Sequence, residues 1–203
     1  MMRLLLATNN KGKLAEMLAL LEDLNLDIVT PERCGVDLSV VEDGSTYEEN
    51  ASLKAASFAQ KSGLVTLADD SGLEVDALGG SPGIRSARFS PLPNATDADR
   101  RAYLLELLNS YPHPWTAHFH CTVAIAIPEG EIYYAQGDCP GEIIPIERGT
   151  NGFGYDPIFL LREIGLTMAE LRMEEKNYLS HRARAIITAI PILVDMLNKP
   201  PIA

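Results

Sequence analysis

No stretch of this sequence approaches the roughly eighteen consecutive apolar residues that a membrane-spanning helix requires. Cysteine is scarce. Cys34, Cys121 and Cys139 form an odd set without a Cys-x-x-Cys pair, which points to free thiols in a reducing compartment. Met1 to Ala7 is too short for a secretory signal, so a cytoplasmic location is expected. Basic residues are outnumbered, 17 against 28 acidic ones, for a net charge of −11. Such a chain has no general positive field to draw it to nucleic acid or an anionic membrane, and neither partner is expected. Glycine and proline, at 15 and 13, are too few and too scattered for a linker or a collagen-like repeat. There is no Gly-x-Ser-x-Gly motif to suggest covalent serine chemistry. His118 and His120 share a strand face, but the sequence places no third ligand beside them, so zinc is not expected.

What remains is an ordinary globular composition, 203 residues with 46% apolar and 22% charged. The order of segments indicates an α/β fold. The apolar run Arg3–Thr8 reads as a buried strand and leads through Asn9–Gly12 into a helix with Leu14, Met17, Leu18, Leu21 and Leu24 on one stripe. Leu26–Thr30 reads as the next strand, and Cys34–Ser45 as a loop or edge element. Thr46 and Glu49 have capping-box spacing before an alanine-rich helix that ends at Gly63. Leu64–Ala68 reads as a strand that Asp69-Asp70-Ser71-Gly72 interrupts, with Leu73–Leu78 a further strand. Thr96 caps a helix to about Leu108. Thr116–Ile127 alternates as a strand, Glu131–Gln136 returns antiparallel, and Glu142–Ile146 and Pro157–Leu161 follow. Thr167 with Glu170 starts a short helix to about Met173. Arg182–Leu197 forms a terminal helix, kinked at Pro191. The expectation is a mixed sheet flanked by helices.

Four segments carry candidate chemistry, each with a plainer alternative. Thr8, Asn9, Asn10, Lys11, Gly12 and Lys13 lie between a strand and a helix, where backbone N–H groups and two lysines can hold an anion. The same residues also suit an ordinary solvated helix cap. They are not a P-loop, because Ala7 and Leu14 occupy its first glycine and its serine or threonine positions. Asp69-Asp70-Ser71-Gly72 offers two carboxylates able to bind Mg²⁺ or polarise water, or else forms an Asx turn. Gly149–Pro157 sets Phe153, Gly154, Tyr155 and Asp156 among glycines, as a platform for a flat base or as a turn whose aromatics plug the core. Lys176, with Ser180-His181-Arg182 at a helix start, could reach phosphate or a purine oxygen, or remain a solvated cap.

Taken together, these segments resemble the inosine triphosphate pyrophosphatase family. The resemblance runs to about Leu197. It includes LATNNKGK ending at Lys13, YEENASLKA at Tyr47–Ala55 and LADDSGLEVDALGG at Leu67–Gly80. SPGIRSARF at Ser81–Phe89, GTNGFGYDPIF at Gly149–Phe159 and EEKNYLSHRARA at Glu174–Ala185 complete it. The resemblance implies one domain over residues 1–203, an elongated mixed sheet flanked by helices in two lobes around a nucleotide cleft, assembled as a homodimer. It implies Mg²⁺-dependent hydrolysis of ITP, dITP and XTP to the monophosphate and pyrophosphate.

The same resemblance assigns roles. Thr8–Lys13 would line the triphosphate, with Asn10 and Lys13 its strongest polar contacts, and Lys54 would point to phosphate. Asp70 would be the catalytic carboxylate and a metal ligand, and Ser71 a substrate neighbour. Phe153 would stack on the base within Phe153–Asp156, while Lys176, His181 and Arg182 would finish recognition. The family offers a metal-associated glutamate in the acidic loop before the second helix. Here that loop is one residue longer than in some relatives. Glu42 is the best equivalent, although a one-residue shift would put Val41 there. A related enzyme for modified pyrimidine nucleotides and a nucleotide-binding regulator without turnover are the competing functions.

Overall fold

The computed structural model describes residues 2–198; Met1 and 199–203, the ends of the expected domain, lie outside the described residues. The strands are β1 (Met2–Leu6), β2 (Leu26–Val29), β3 (Val65–Val75), β4 (Trp115–Ala126), β5 (Ile132–Ile143), β6 (Phe159–Leu161) and β7 (Leu166–Thr167). The α-helices are α1 (Lys11–Leu21), α2 (Tyr47–Ser62), α3 (Asp97–Leu108), α4 (Met173–Leu179) and α5 (His181–Asn198). Among the described residues the strands form one mixed sheet in the order β2-β1-β3-β4-β5-β6-β7. β1 is parallel to β2 and β3, while β6 is antiparallel to β5 and β7.

The chain divides into two compact units, the first being Met1–Asp70, Cys121–Gly137 and Arg182–Ala203. Its sheet is covered on both faces, which explains why β1 reads as an unbroken apolar run and not as an alternation. Leu4 and Leu6 pack with Leu67, Val123 and Ile125 against Met17 and Leu21 of α1 and Ile186, Ala189 and Leu193 of α5. Leu5 and Ala7 belong to a second core with Ala51, Ala55 and Phe58 of α2. Each buried leucine contributes about 1.5–3 kcal/mol. That burial outweighs the one hydrogen bond lost at Pro191, which lies inside α5 without ending it. Leu18, expected on the buried stripe of α1, is instead exposed, and Glu16 is buried.

The second unit comprises Ser71–His120 and Asp138–His181. Its core joins Leu73 and Val75, Leu104 and Leu108 of α3, and Trp115, Ala117 and Phe119 of β4. Cys139, Ile143, Tyr155, Ile158, Phe159 and Leu161 belong to it, as do Met168 and Leu171. The two strands expected at Glu131–Gln136 and Glu142–Ile146 are one strand, β5. Pro140 is tolerated there because β6 pairs only with Glu142 and Ile143. Gly141 is required beside it, since a Cβ would collide with the Phe159 ring. Thr167 and Glu170 do form a capping box, but around a single 3₁₀ turn, Met168–Glu170, and the next helix is α4.

Candidate active site

The segment expected to break a strand is the middle of β3, which runs through Asp69, Asp70 and Ser71 without interruption. Successive side chains of a strand point to opposite faces, so the two aspartates meet different neighbours. Asp69 is only 1% exposed, and its Oδ2 takes Lys13 Nζ at 3.0 Å and Arg182 Nε at 3.1 Å. Arg182, equally buried, also donates to Glu16. Burial alone would raise the Asp69 pKa, but the charges of Lys13, Arg182 and Lys54 outweigh it and hold the carboxyl far below its usual range. The same cluster explains Glu16, the buried acid on α1. The Cys121 thiol beside Asp69 is pushed up by burial and by that carboxylate, and is chemically quiet.

Asp70 turns to the α2 side. Asn50 Nδ2 donates to Asp70 Oδ2 at 3.1 Å, and the Asn50 oxygen accepts from the Gly44 N–H at 2.9 Å. Burial raises the Asp70 pKa, and the nearby Glu42 charge adds to this against the opposing effects of Lys13, Asn50 and Lys54. Lys54, one helical turn after Asn50, places Nζ 2.9 Å from the Asp69 carbonyl oxygen and 2.6 Å from Glu42 Oε1. Lys13, Lys54, Asp69, Asp70 and Glu42 thus gather in one unit, together with Arg182. Glu42 and Asp70 are hard oxygen donors that repel one another, a pair suited to Mg²⁺, which needs one or two carboxylates besides water and phosphate oxygens. No cluster of three His, Cys, Asp or Glu side chains that could hold a metal by itself exists among the described residues.

The loop after β1 is more self-contained than its residues suggest. Asn10 is the N-cap of α1, and its Oδ1 accepts from the Gly12 and Lys13 N–H groups at 2.9 and 3.1 Å. Those amides are therefore engaged by the cap. Thr8 Oγ1 accepts from the Asn10 N–H, while Asn9 and Lys11 are exposed. Of this segment, Lys13 reaches the aspartates.

A second cluster lies in the other unit, on the loop from Gly149 to Asp156. Asp156 Oδ2 accepts from the Phe153 N–H at 2.9 Å and pairs with Lys176 Nζ at 2.6 Å, both side chains about 5% exposed. Gly152 is left-handed at φ +74°, and a Cβ there would collide with the Asp156 carboxylate. The Lys176 ammonium sits 5.0 Å from the centre of the Phe153 ring. Phe153 is half-buried and stands outside the core that holds Tyr155, Ile158 and Phe159. Tyr155 serves that core instead of presenting itself, its hydroxyl donating to the Ser86 carbonyl at 2.9 Å. His181 stacks on Phe119 with ring centres 4.6 Å apart. Ser71 follows Asp70 as the next residue of β3.

Asn50 and Glu16 were not among the residues singled out from sequence. Asn50 had a signal, a lone amide on the buried, alanine-rich face of α2 four residues before Lys54. Glu16 had none within α1.

A family model described as the Ham1 family matches residues 4–191. The chain is 50% identical over 187 residues to a dITP/XTP pyrophosphatase of Geobacter sulfurreducens, covering 92% of this chain and 94% of that one. It is 47% identical over 202 residues to the enzyme of the same name from Shigella flexneri, covering 98% and 99%. Among solved structures, a HAM1 protein from Coxiella burnetii superposes with a TM-score of 0.87 at 41% identity, over 96% of this chain and all of that one. A nucleoside-triphosphatase / dITP/XTP pyrophosphatase from Mycobacterium abscessus gives 0.73 at 41% identity, over 95% and 100%.

Proposed function

The chain belongs to the Ham1 family, and from that premise we propose that it hydrolyses dITP, XTP and ITP to the monophosphate and pyrophosphate. The observation that carries this reading is the division of labour between two consecutive aspartates. Asp69 is neutralised by Lys13 and Arg182, whereas Asp70 is oriented by Asn50 beside Lys54. Phosphate chemistry is assigned to the first unit. Lys13 and Lys54 supply positive charge to the triphosphate and to the departing pyrophosphate. Asp70, with Oδ2 fixed by Asn50, directs the attacking water to the α-phosphorus and accepts its proton. Mg²⁺ would be held by Asp70 and Glu42, and when bound it neutralises charge on the triphosphate oxygens.

Base recognition is assigned to Phe153, which stacks on the purine, with Lys176, Asp156 and His181 completing the polar set, whereas Arg182, buried between Asp69 and Glu16, braces Asp69 instead of reaching the base. A donor aimed at the C6 carbonyl of hypoxanthine or xanthine would face the amino group of adenine unpaired, a penalty of about 1–3 kcal/mol. Phe153→Ala is expected to remove about 1–3 kcal/mol of stacking, raising KM for ITP about 5- to 150-fold with a smaller change in kcat. Because Phe153 stands outside the core, its melting temperature should change little. A sharp fall in melting temperature with an unchanged KM would make the ring a core plug instead.

No helix among the described residues is long and apolar enough to cross a membrane. A cytoplasmic location and a homodimer complete the proposal. Sedimentation should give a species near twice the chain mass of 22.1 kDa. Incubation with ITP, XTP, dITP, ATP and GTP, followed by product separation, tests the activity. Pyrophosphate with the monophosphate is expected from the first three. Orthophosphate with the diphosphate, or a pyrimidine preferred by more than about tenfold, would overturn the assignment.

A further inference from the structure

The geometry points to Asp97 and Arg101, at the start of α3, as positioning residues that hold the loop bearing Phe153 in its base-stacking conformation. Both backbone polar groups of Gly154 are held by these two side chains. The Gly154 N–H donates to Asp97 Oδ2 at 2.8 Å, and Arg101 Nη1 donates to the Gly154 carbonyl at 2.8 Å. The residues are four apart and so share one face of α3. Arg101 also binds Glu147 in a bidentate pair, Nε to Oε1 at 2.8 Å and Nη2 to Oε2 at 3.0 Å. One guanidinium therefore ties the entry of the loop, at Glu147, to the residue after Phe153. On the other side Asp156 takes the Phe153 N–H and packs against left-handed Gly152. Phe153 is thus fixed through both neighbours and through its own amide, which restricts the direction its ring takes.

An acidic residue in the first turn of a helix ordinarily serves the helix itself. In α3 that service is performed by Asp99, which forms a capping box with Thr96. Asp97 instead bonds the loop and Arg100. Burial would raise its pKa, but the bonds from Arg100 and Gly154 with the charges of Arg100 and Arg101 outweigh that and keep it ionised as an acceptor.

The inference rests on the stacking role of Phe153, so the experiment includes Phe153→Ala. Asp97→Ala, Asp97→Asn, Arg101→Ala, Arg101→Lys and the helix control Asp99→Ala are compared for kcat and KM with ITP, for melting temperature and for inhibition by inorganic triphosphate. Asp97→Ala and Arg101→Ala should raise KM about 3- to 10-fold, the value of a hydrogen bond or two, with kcat nearly unchanged. Inhibition by inorganic triphosphate, which has no base, should not move. Asp97→Asn keeps an acceptor for the Gly154 N–H and should recover part of the loss. Asp99→Ala should lower the melting temperature through the lost cap while leaving KM unchanged. Should Asp97→Ala fail to fold, Arg101→Lys carries the test, since one ammonium cannot serve Gly154 and both Glu147 oxygens. A raised KM in Phe153→Ala with none in the Asp97 and Arg101 variants beyond that of Asp99→Ala overturns the inference. An unchanged KM in Phe153→Ala overturns the stacking role on which it rests.

Discussion

Asp70→Asn is expected to fold like the parent and to lose at least about 10²-fold in turnover at saturating Mg²⁺. The substitution keeps the shape of the side chain and lets an amide oxygen accept from Asn50 Nδ2, the bond that now orients Asp70 at 3.1 Å. It removes the negative charge by which Asp70 is proposed to direct the attacking water. Steady-state kinetics with ITP at several Mg²⁺ concentrations, alongside a thermal melt, measures both effects. Near-parental turnover would transfer the role to Asp69 or Glu42.

Asp69→Ala should act in the opposite way, on the fold before the chemistry. It would leave Lys13 without its buried counter-charge and take the Asp69 carboxylate from Arg182, with the Glu16 pair still in place. Stranding a buried cation costs about 3–5 kcal/mol, a large part of the 5–15 kcal/mol that holds a typical domain together. Asp69→Asn keeps an acceptor in the same place and should lose less. Denaturant unfolding of both variants checks this. A shift below about 1 kcal/mol for Asp69→Ala, the scale of an exposed pair, would contradict the isolation of this cluster from water.

These two aspartates also mark the boundary of what could be read in advance. The helix after Thr46 was legible because its signals are local. The Thr46 side chain accepts from the Glu49 N–H, and Gly63 closes the helix in a left-handed conformation. Even there Glu49 reaches back to Ser45, at 2.6 Å from its N–H, so the expected reciprocal box is displaced by a residue. Asp69-Asp70-Ser71-Gly72 misled because its composition favours a turn locally. The strand persists because Lys13 and Arg182 neutralise one carboxylate and Asn50 engages the other, and these partners lie 20 to 113 residues away in sequence for the bonds from Asn50 and Arg182. Arg182 illustrates the same limit. Its place at a helix start was visible, but its burial between Glu16 and Asp69 was not. The mixed sheet with flanking helices was legible, since apolar runs, caps and turns repeat in chain order. The union of two expected strands into β5 was not, because the close approach of Phe159 to Gly141 is a tertiary fact.

In the proposed reaction Asp70 and its neighbours direct water to the α-phosphorus of a non-standard purine nucleoside triphosphate. Turnover of ITP with Mg²⁺ in ¹⁸O-labelled water, followed by mass analysis of both products, tests it directly. One labelled oxygen is expected in the phosphate of IMP and none in pyrophosphate, because the bond that breaks joins the α-phosphorus to its bridging oxygen. Label in pyrophosphate would place the attack at the β-phosphorus and contradict it.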